Sequence, residues 1–471
     1  MEKQVFNPYL PSWEYIPDGE PHVFGERVYV YGSHDKFNGH AYCLNDYVCW
    51  SAPVNDLSDW RYEGVIYQKT SDPENNEGDG CLFAPDVTKG LDGRYYLYYV
   101  LDKLNIVSVA VCDTPAGRYE FLGCVHYKDG TRLGEREGDE PQFDPAVLTE
   151  GDKIYLYTGF CPIGDKSRHG PMCTVLAPDM LTVEEAPVFI APSRPYSNDT
   201  PWAGHEFFEA PSIRKKGDTY YFVYSSAVYH ELCYATSKSP TKDFVYRGVI
   251  ISNCDMHIHS YKPAGMPMYY GSNNHGGMAE INGLWYIFYH RHTNGHNFSR
   301  QGCAEPIAFR EDGSIVQSEM TSCGLNGKPL SGKGEYPAYI CCNLFCKDEE
   351  IYVPFGGAWM DSRFPKVTQD GKDGDKEDGY VQNMCDTATA GYKYFECESI
   401  NSVSVTTRGY AKGLIEVKTG WNGKPLGEIP VGFSAVWKEN VANIYIPDGK
   451  QAIYFTFRGS GNISLKSFKL L

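Results

Sequence analysis

The chain has 471 residues, a formal net charge of −17, and 37 tyrosines beside 48 glycines and 29 prolines. That length exceeds one small core and sets an expectation of two domains. So acidic a surface repels phosphate backbones and anionic lipid, which sets nucleic acid and membrane aside as partners and leaves room for a neutral ligand such as a sugar.

The N-terminus, Met1 to Pro8, has no apolar core of a signal peptide, and no apolar run of about 18 residues follows. The sixteen cysteines are scattered, with Cys341 and Cys342 adjacent and no paired CxxC motif. The expectation is a cytoplasmic protein with reduced, buried thiols.

From the start of the chain, one design recurs five times. A short segment with a carboxylate or histidine beside a proline or glycine leads, across a Gly or Asp turn, into an aromatic strand. Glu20-Pro21-His22-Val23-Phe24 leads to Arg27–Tyr31, and Ala84-Pro85-Asp86-Val87 leads to Arg94–Tyr99. Phe143-Asp144-Pro145 leads to Lys153–Tyr157, and Glu209-Ala210-Pro211 leads to Thr219–Tyr224. Asn274-His275-Gly276-Gly277 leads to Leu284–Tyr289. The anchors fall at 21, 85, 145, 211 and 276, a near-constant period that marks a repeat architecture. Each unit reads as a hairpin. A third strand recurs in Trp50–Trp60, Cys112–Phe121 and Thr236–Phe244. Three to four strands per unit, repeated radially, predict a β-propeller of five blades over residues 1–325.

In such a propeller the first strand of each blade lines the central channel. Glu20, Asp86, Asp144, Glu209 and His275 are then expected near one end of the axis. Like charges gathered there raise one another's pKa, and sites that gather them are functional candidates. Beyond residue 320 a Gly-, Pro- and Ser-rich connection precedes a second domain over 326–471. Lys366–Asp378 reads as a charged, solvated excursion. Short alternating strands at 339–344, 391–395, 402–406, 413–417, 443–446, 452–457 and 463–468 predict a β-sandwich. Trp421 and Trp437 are candidates either for its core or for a sugar platform. The fold class is therefore all-β, a five-bladed propeller followed by a sandwich.

Several segments, taken in order, resemble glycoside hydrolase family 43. They are Asn7-Pro8, the run from Glu20 to Asp35, Phe83-Ala84-Pro85-Asp86, Phe143-Asp144-Pro145 and Phe208-Glu209-Ala210-Pro211. The C-terminal part, chiefly Tyr454 to Gly461, is similar to carbohydrate-binding module family 6. The first resemblance implies an inverting glycosidase for arabinofuranosides or xylosides. It places Glu209 as general acid and Asp144 as the carboxylate that orients the acid and tunes its pKa. The general base falls on the first-blade carboxylate, which is Glu20 here where the family has Asp; Asp18 is the alternative. Phe83, Asp86 and Arg300 are expected to bind substrate. His275 is expected at the axis, near a water or a structural calcium, and no cofactor is required.

The readings this leaves are three. The first is an exo-acting arabinofuranosidase or xylosidase acting on oligosaccharides. The second is a catalytically weak sugar-binding protein on the same scaffold. The third is a retaining sucrose-type propeller enzyme, whose motifs are missing.

Overall fold

The computed structural model describes residues 3–347, 351–352 and 364–471. Four sheets of four antiparallel strands follow one another along the chain, each ordered as its strands occur. Their inner strands are Glu20–Phe24, Leu82–Lys89, Ala146–Glu150 and Phe207–Lys216. A fifth sheet has three strands, Met278–Ile281, Leu284–His292 and Arg300–Pro306. The five inner strands contact one another in a closed ring. This is the five-bladed propeller that the period predicts.

The ring closes through the N-terminal segment, which runs beside the outer strand of blade 5. The Asn7 and Tyr9 backbone N–H groups donate to Ser322 O (3.0 Å) and Gly302 O (3.4 Å). Asn7 Nδ2 donates to Ala304 O and Glu305 Oε1, and Ala304 N–H donates back to Asn7 Oδ1. Blade 5 thus draws a fourth edge from the far end of the chain, which leaves it no open edge there. The aromatic strands supply the packing between blades. Tyr98, Tyr99, Tyr157 and Tyr224 are fully buried, and their hydroxyls donate to Met180 O, Asp72, Pro240 O and His205 O. Tyrosine suits this position because the ring fills the core while the hydroxyl finds an acceptor.

The C-terminal strands build one hydrogen-bonded β system around two long members, Val403–Lys418 and Gly449–Leu470. Four of the predicted short strands are halves of these two. The halves stay joined because glycines sit at the bends: Gly409, Gly459 and Gly461 have φ of 148°, 154° and 78°. The strand expected at 339–344 begins instead at Asn343, after a 3-10 turn at Ala338–Ile340. No strand forms over 443–446, where Ile446 makes only an isolated bridge to Ile400.

This part docks against blades 4 and 5 through one continuous apolar cluster that runs from Tyr221 and Tyr289 to Phe455 and Leu470. Buried polar groups fix the docking. Arg291 donates to Cys341 O (2.8 Å) and Tyr339 O (2.7 Å), and Lys393 Nζ pairs with Asp255 (2.8 Å). Trp421 belongs to this seam, where its Nε1–H donates to Tyr261 O (2.9 Å). Trp437 packs on Tyr380 under Arg408. Among the described residues no helix is long and apolar enough to cross a membrane.

Candidate active site

A cavity of about 350 Å³ opens at one end of the propeller axis, and Asp18, Asp144, Glu209, His275 and Arg300 line it. Asp18 precedes the inner strand of blade 1 in the turn Pro17-Asp18-Gly19, with φ of 57°, a left-handed conformation that Asp tolerates better than most residues. Its carboxylate accepts from Arg300 Nη1 at 3.0 and 3.3 Å. The other guanidinium nitrogens, Nε and Nη2, donate to the Asp35 carboxylate at 2.8 and 2.9 Å. Arg300 is therefore a clamp between two buried carboxylates on the cavity wall. His290 completes the support. Its Nε2 lies 2.8 Å from Asn273 O and must donate, so Nδ1 accepts the Asp18 N–H at 3.3 Å. Burial, then the nearby Arg300, hold this imidazole well below the usual histidine range, so it is neutral.

Asp144 and Glu209 come from the inner segments of blades 3 and 4. Asp144 also has a left-handed φ, 46°, and its Oδ2 accepts from Ala210 N–H at 3.1 Å. That bond ties the two blades together one residue from Glu209. The register of the Glu209 strand slips between Glu209 and Ser212, and Ala210 has φ of 62°. This bulge re-aims Glu209 into the cavity. Strained backbone at Asp18, Asp144 and Ala210, all at one cavity, is the pattern of a functional site.

Burial, then the Asp18 charge, push Glu209 up from 4.5 to about 7, against the pull of Arg300. Burial, then Glu209 and Asp18, push Asp144 well above the carboxylate range. His230 lies 3.8 Å from Glu209, and burial holds it near 4 and hence neutral.

An aromatic arc follows the rim. Ring centroids are 5.6 Å apart for Phe83–Phe143, 5.2 Å for Phe143–Phe160 and 5.5 Å for Phe160–Phe208, and 4.9 Å separate Phe208 from His230. Phe83 is on this wall, as the sequence suggests. The other rings were missed, although a signal existed: Phe83, Phe143 and Phe208 each stand one to three residues before an anchor carboxylate. Tyr42, Ser272, Asn273 and Asn297 complete the lining; they sit in loops without a comparable pattern.

Two of the expected site residues lie elsewhere. Glu20 is outside the cavity, with a side chain only 1% exposed. Its Oε2 accepts from Arg214 Nη2 at 2.6 Å and from Ser212 Oγ at 3.1 Å. Burial raises it to about 7 in spite of Arg214. Asp86 is fully buried beside it, accepting from Val147 N–H (2.8 Å) and bonded to His22 Nε2 (2.6 Å). Burial opposes its ionisation, but His22 and Arg214 prevail and hold its carboxyl below the ordinary range. Glu20 is already inside the strand, whereas Asp18 stands in the left-handed turn before it, and that turn sends the Asp18 carboxylate to the cavity while Glu20 stays sealed along the axis. Glu20 as general base and Asp86 as substrate ligand are both corrected on this ground.

His275 stands between the two groups, with Nδ1 3.8 Å from Asp144 and Nε2 3.9 Å from Glu20 Oε1. Burial lowers it to about 4, so it is neutral. Glu20 Oε1 is buried without a hydrogen-bond partner. One such oxygen is far short of the six to eight that calcium takes. Arg214 already supplies a cation beside the carboxylates. A calcium ion here would draw most of its ligands from water, with Glu20 and His275 as the protein groups beside it.

The expected solvated excursion, 366–378, is instead a strut. Asp373 accepts from Phe37 N–H (2.6 Å) and Asn45 Nδ2 (3.3 Å), on either side of Tyr42. Asn294 N–H donates to Val367 O (2.7 Å), and Tyr15 donates to Gln369 (2.7 Å). The C-terminal part thus braces the blade 1 and blade 5 loops that carry Tyr42 and Asn297.

Comparison with known proteins adds the lineage. A xylosidase/arabinosidase of Thermoclostridium stercorarium is 72% identical over 470 residues, which is 100% of this chain and 99% of that protein. One of Bacteroides ovatus is 27% identical over 348 residues, 66% of this chain and 97% of that protein. The crystal structure of a family 43 arabinoxylan arabinofuranohydrolase from Bacillus subtilis, in complex with cellotetraose, superposes with a TM-score of 0.52 at 20% identity. It covers 98% of this chain and 97% of its own, and it supports the fold alone. The sequence profile of glycosyl hydrolases family 43 matches residues 16–315, well over half the chain, and the chain belongs to that family.

Proposed function

We propose that this protein is an inverting, exo-acting xylosidase/arabinofuranosidase whose acid is Glu209, whose base is Asp18 and whose pKa-tuning carboxylate is Asp144. The carrying observation is that these three acids share one cavity while their environments differ. Glu209, raised to about 7, keeps its proton through mildly acidic solution and in a large share of molecules at neutral pH. Asp18 holds its carboxylate against Arg300. An acid and a base can divide the work when one carboxyl is buried and raised and the other is held in an ion pair.

In the reaction, a water behind the anomeric carbon gives a proton to Asp18 as its oxygen attacks that carbon. The bond to the leaving oxygen breaks, and Glu209 delivers its proton there. The sugar is released with inverted configuration, a course that needs the two carboxyl groups about 6.5–9.5 Å apart. Asp144 contributes through its bond to Ala210 N–H, which fixes the bulge that aims the acid. The aromatic arc offers a face to the sugar ring. The full-length kinship with a xylosidase/arabinosidase supports pentosides as substrates, and a cavity of about 350 Å³ at the end of the axis suits the end of a short oligosaccharide. We place the catalytic propeller at 1–325 and the accessory β domain at 326–471.

The test is to incubate the enzyme with p-nitrophenyl β-xyloside and α-L-arabinofuranoside and to follow the released sugar's anomeric proton by NMR. Release of the inverted anomer is expected. A retained anomer contradicts the mechanism, and silence on both substrates contradicts the substrate class.

A further inference from the structure

Blade 4 carries a second cluster of chemically capable side chains, outside the cavity. His205 lies just before the inner strand Phe207–Lys216, and Glu231 and Cys233 lie at the start of the third strand, Leu232–Ser237. Glu231 and Cys233 are two residues apart, so strand alternation puts both on one face. Their ligand atoms converge with the His205 ring. His205 Nδ1 is 3.3 Å from Glu231 Oε2 and 3.9 Å from Cys233 Sγ, and Cys233 Sγ is 4.0 Å from Glu231 Oε2. All three atoms fall within 4.8 Å of one another. The other carboxylate oxygen, Glu231 Oε1, is held by His257 Nε2 at 2.5 Å. Tyr246 stacks on His205 at 4.9 Å and 14°, which fixes the ring plane.

The dimensions suit a particular ion. Zinc bound by nitrogen or oxygen at ~2.0 Å and by sulfur at ~2.3 Å, in a tetrahedron, sets ligand atoms about 3.3 Å (N to O) and about 3.5 Å (S to N or O) apart. The first spacing is already present, and the sulfur needs to move in by only about 0.5 Å. A thiolate among the donors disfavours calcium and magnesium, which take oxygen. Charge balances as well. Cys233 releases its thiol proton to solvent on binding, and one thiolate plus one carboxylate neutralise a divalent ion in a site where Glu231 and Cys233 are fully buried. The side chains of His205 and His257 are 30% and 44% exposed, which leaves an entry path and room for a water as fourth ligand. The bond from His257 to Glu231 is the outer-shell support that metal-binding carboxylates ordinarily receive.

We propose that His205, Glu231 and Cys233 bind one zinc ion, with His257 orienting Glu231. The ion is structural. It joins the segment that enters the Glu209 strand to the turn at 227–231, whose His230 stands 3.8 Å from Glu209 on the cavity wall. It touches no substrate, so its first effect is on stability and its second on the placement of His230.

The experiment uses the full-length protein, stripped with a chelator and reloaded with zinc or cobalt(II). Metal content is read by mass spectrometry, cobalt ligation by absorption, and stability by thermal unfolding. The expected result is one zinc per chain, a thiolate-to-cobalt charge-transfer band and an unfolding temperature that rises with zinc. His205→Ala and Cys233→Ser each lose the ion, whereas Cys173→Ser, buried in the same apolar cluster, retains it. Because the His205 side chain is partly exposed, its variant decides the question even where Cys233→Ser fails to fold. The site is overturned by wild-type protein that keeps no stoichiometric zinc. It is equally overturned by zinc that survives His205→Ala, or by bound cobalt with no thiolate band.

Discussion

Two groups of acids sit one behind the other on the propeller axis, and both grow from the same sequence feature, a carboxylate near a proline at the start of a blade. In the outer group, Asp18, Asp144 and Glu209 face a cavity. In the inner group, Glu20 and Asp86 are sealed and shared among Arg214, His22 and Ser212. The outer clamp, Arg300, takes Asp18 from one side and leaves it on the cavity wall. The inner cation, Arg214, is half-buried outside the cavity and pairs with carboxylates that are sealed from a substrate. A carboxylate at a repeat anchor therefore does not specify chemistry by itself. What decides is where the bend falls: the bulge after Glu209 and the left-handed turns at Asp18 and Asp144 turn those acids to the cavity, whereas the register shift of blade 2 comes before Asp86, which stays sealed.

The largest expected effect separates the groups by activity. Asp18→Asn, Asp144→Asn and Glu209→Gln should each lower kcat by about 10²–10⁴-fold while melting near the wild-type temperature. Glu20→Gln should keep most of its turnover per folded molecule. Steady-state kinetics with a p-nitrophenyl pentoside checks all four. The next effect separates them by stability. Arg214→Met leaves Glu20 buried without its cation, for which a loss of about 3–5 kcal/mol is expected in denaturant titration, with kcat nearly unchanged in the folded fraction.

A smaller effect is one of pH. Glu209 is raised from 4.5 to about 7, so kcat/KM should fall as pH rises through about 7 and the acid loses its proton. The same shift enters stability. A carboxyl whose folded pKa is raised stabilises fully below its ordinary value and loses that contribution as pH rises through the folded value. Glu209→Gln does not titrate, so its stability relative to wild type should climb between pH 4.5 and about 7 and then level off. Melting curves of the two proteins across this range measure it; a flat difference contradicts the assigned shift. The smallest effect concerns the strut. Asp373→Ala frees the loop around Tyr42 and should raise KM a few-fold, in line with the loss of about 1 kcal/mol of hydrogen bonding.

The architecture was legible because it repeats. A period set by five aromatic strands survives any uncertainty in one of them, and it located Asp144, Glu209 and His275 at the axis. The base was less legible. Glu20 carries the motif, but whether residue 18 or 20 faces the mouth depends on where the turn ends and the strand begins, and that is set by the left-handed backbone at Asp18. The clamps on Asp18 were beyond reach for another reason: Asp35 follows the second strand of blade 1, His290 and Arg300 belong to blade 5, and the two blades meet only when the ring closes. The C-terminal domain shows the limit of pattern reading most plainly. Glycines that signal turns in short strands serve there as bends within two long ones, and the charged stretch 366–378 looked solvated because its partners, Phe37 N–H and Asn45, are more than 300 residues away.

The central claim is that Asp18 rather than Glu20 activates the water. The most direct measurement compares Asp18→Ala with Glu20→Ala on an activated pentoside, with and without azide. The account predicts that Asp18→Ala is inactive in buffer and regains turnover with azide, forming a glycosyl azide of inverted configuration, while Glu20→Ala turns over without help. An inactive Glu20→Ala that azide rescues, beside an active Asp18→Ala, would contradict it.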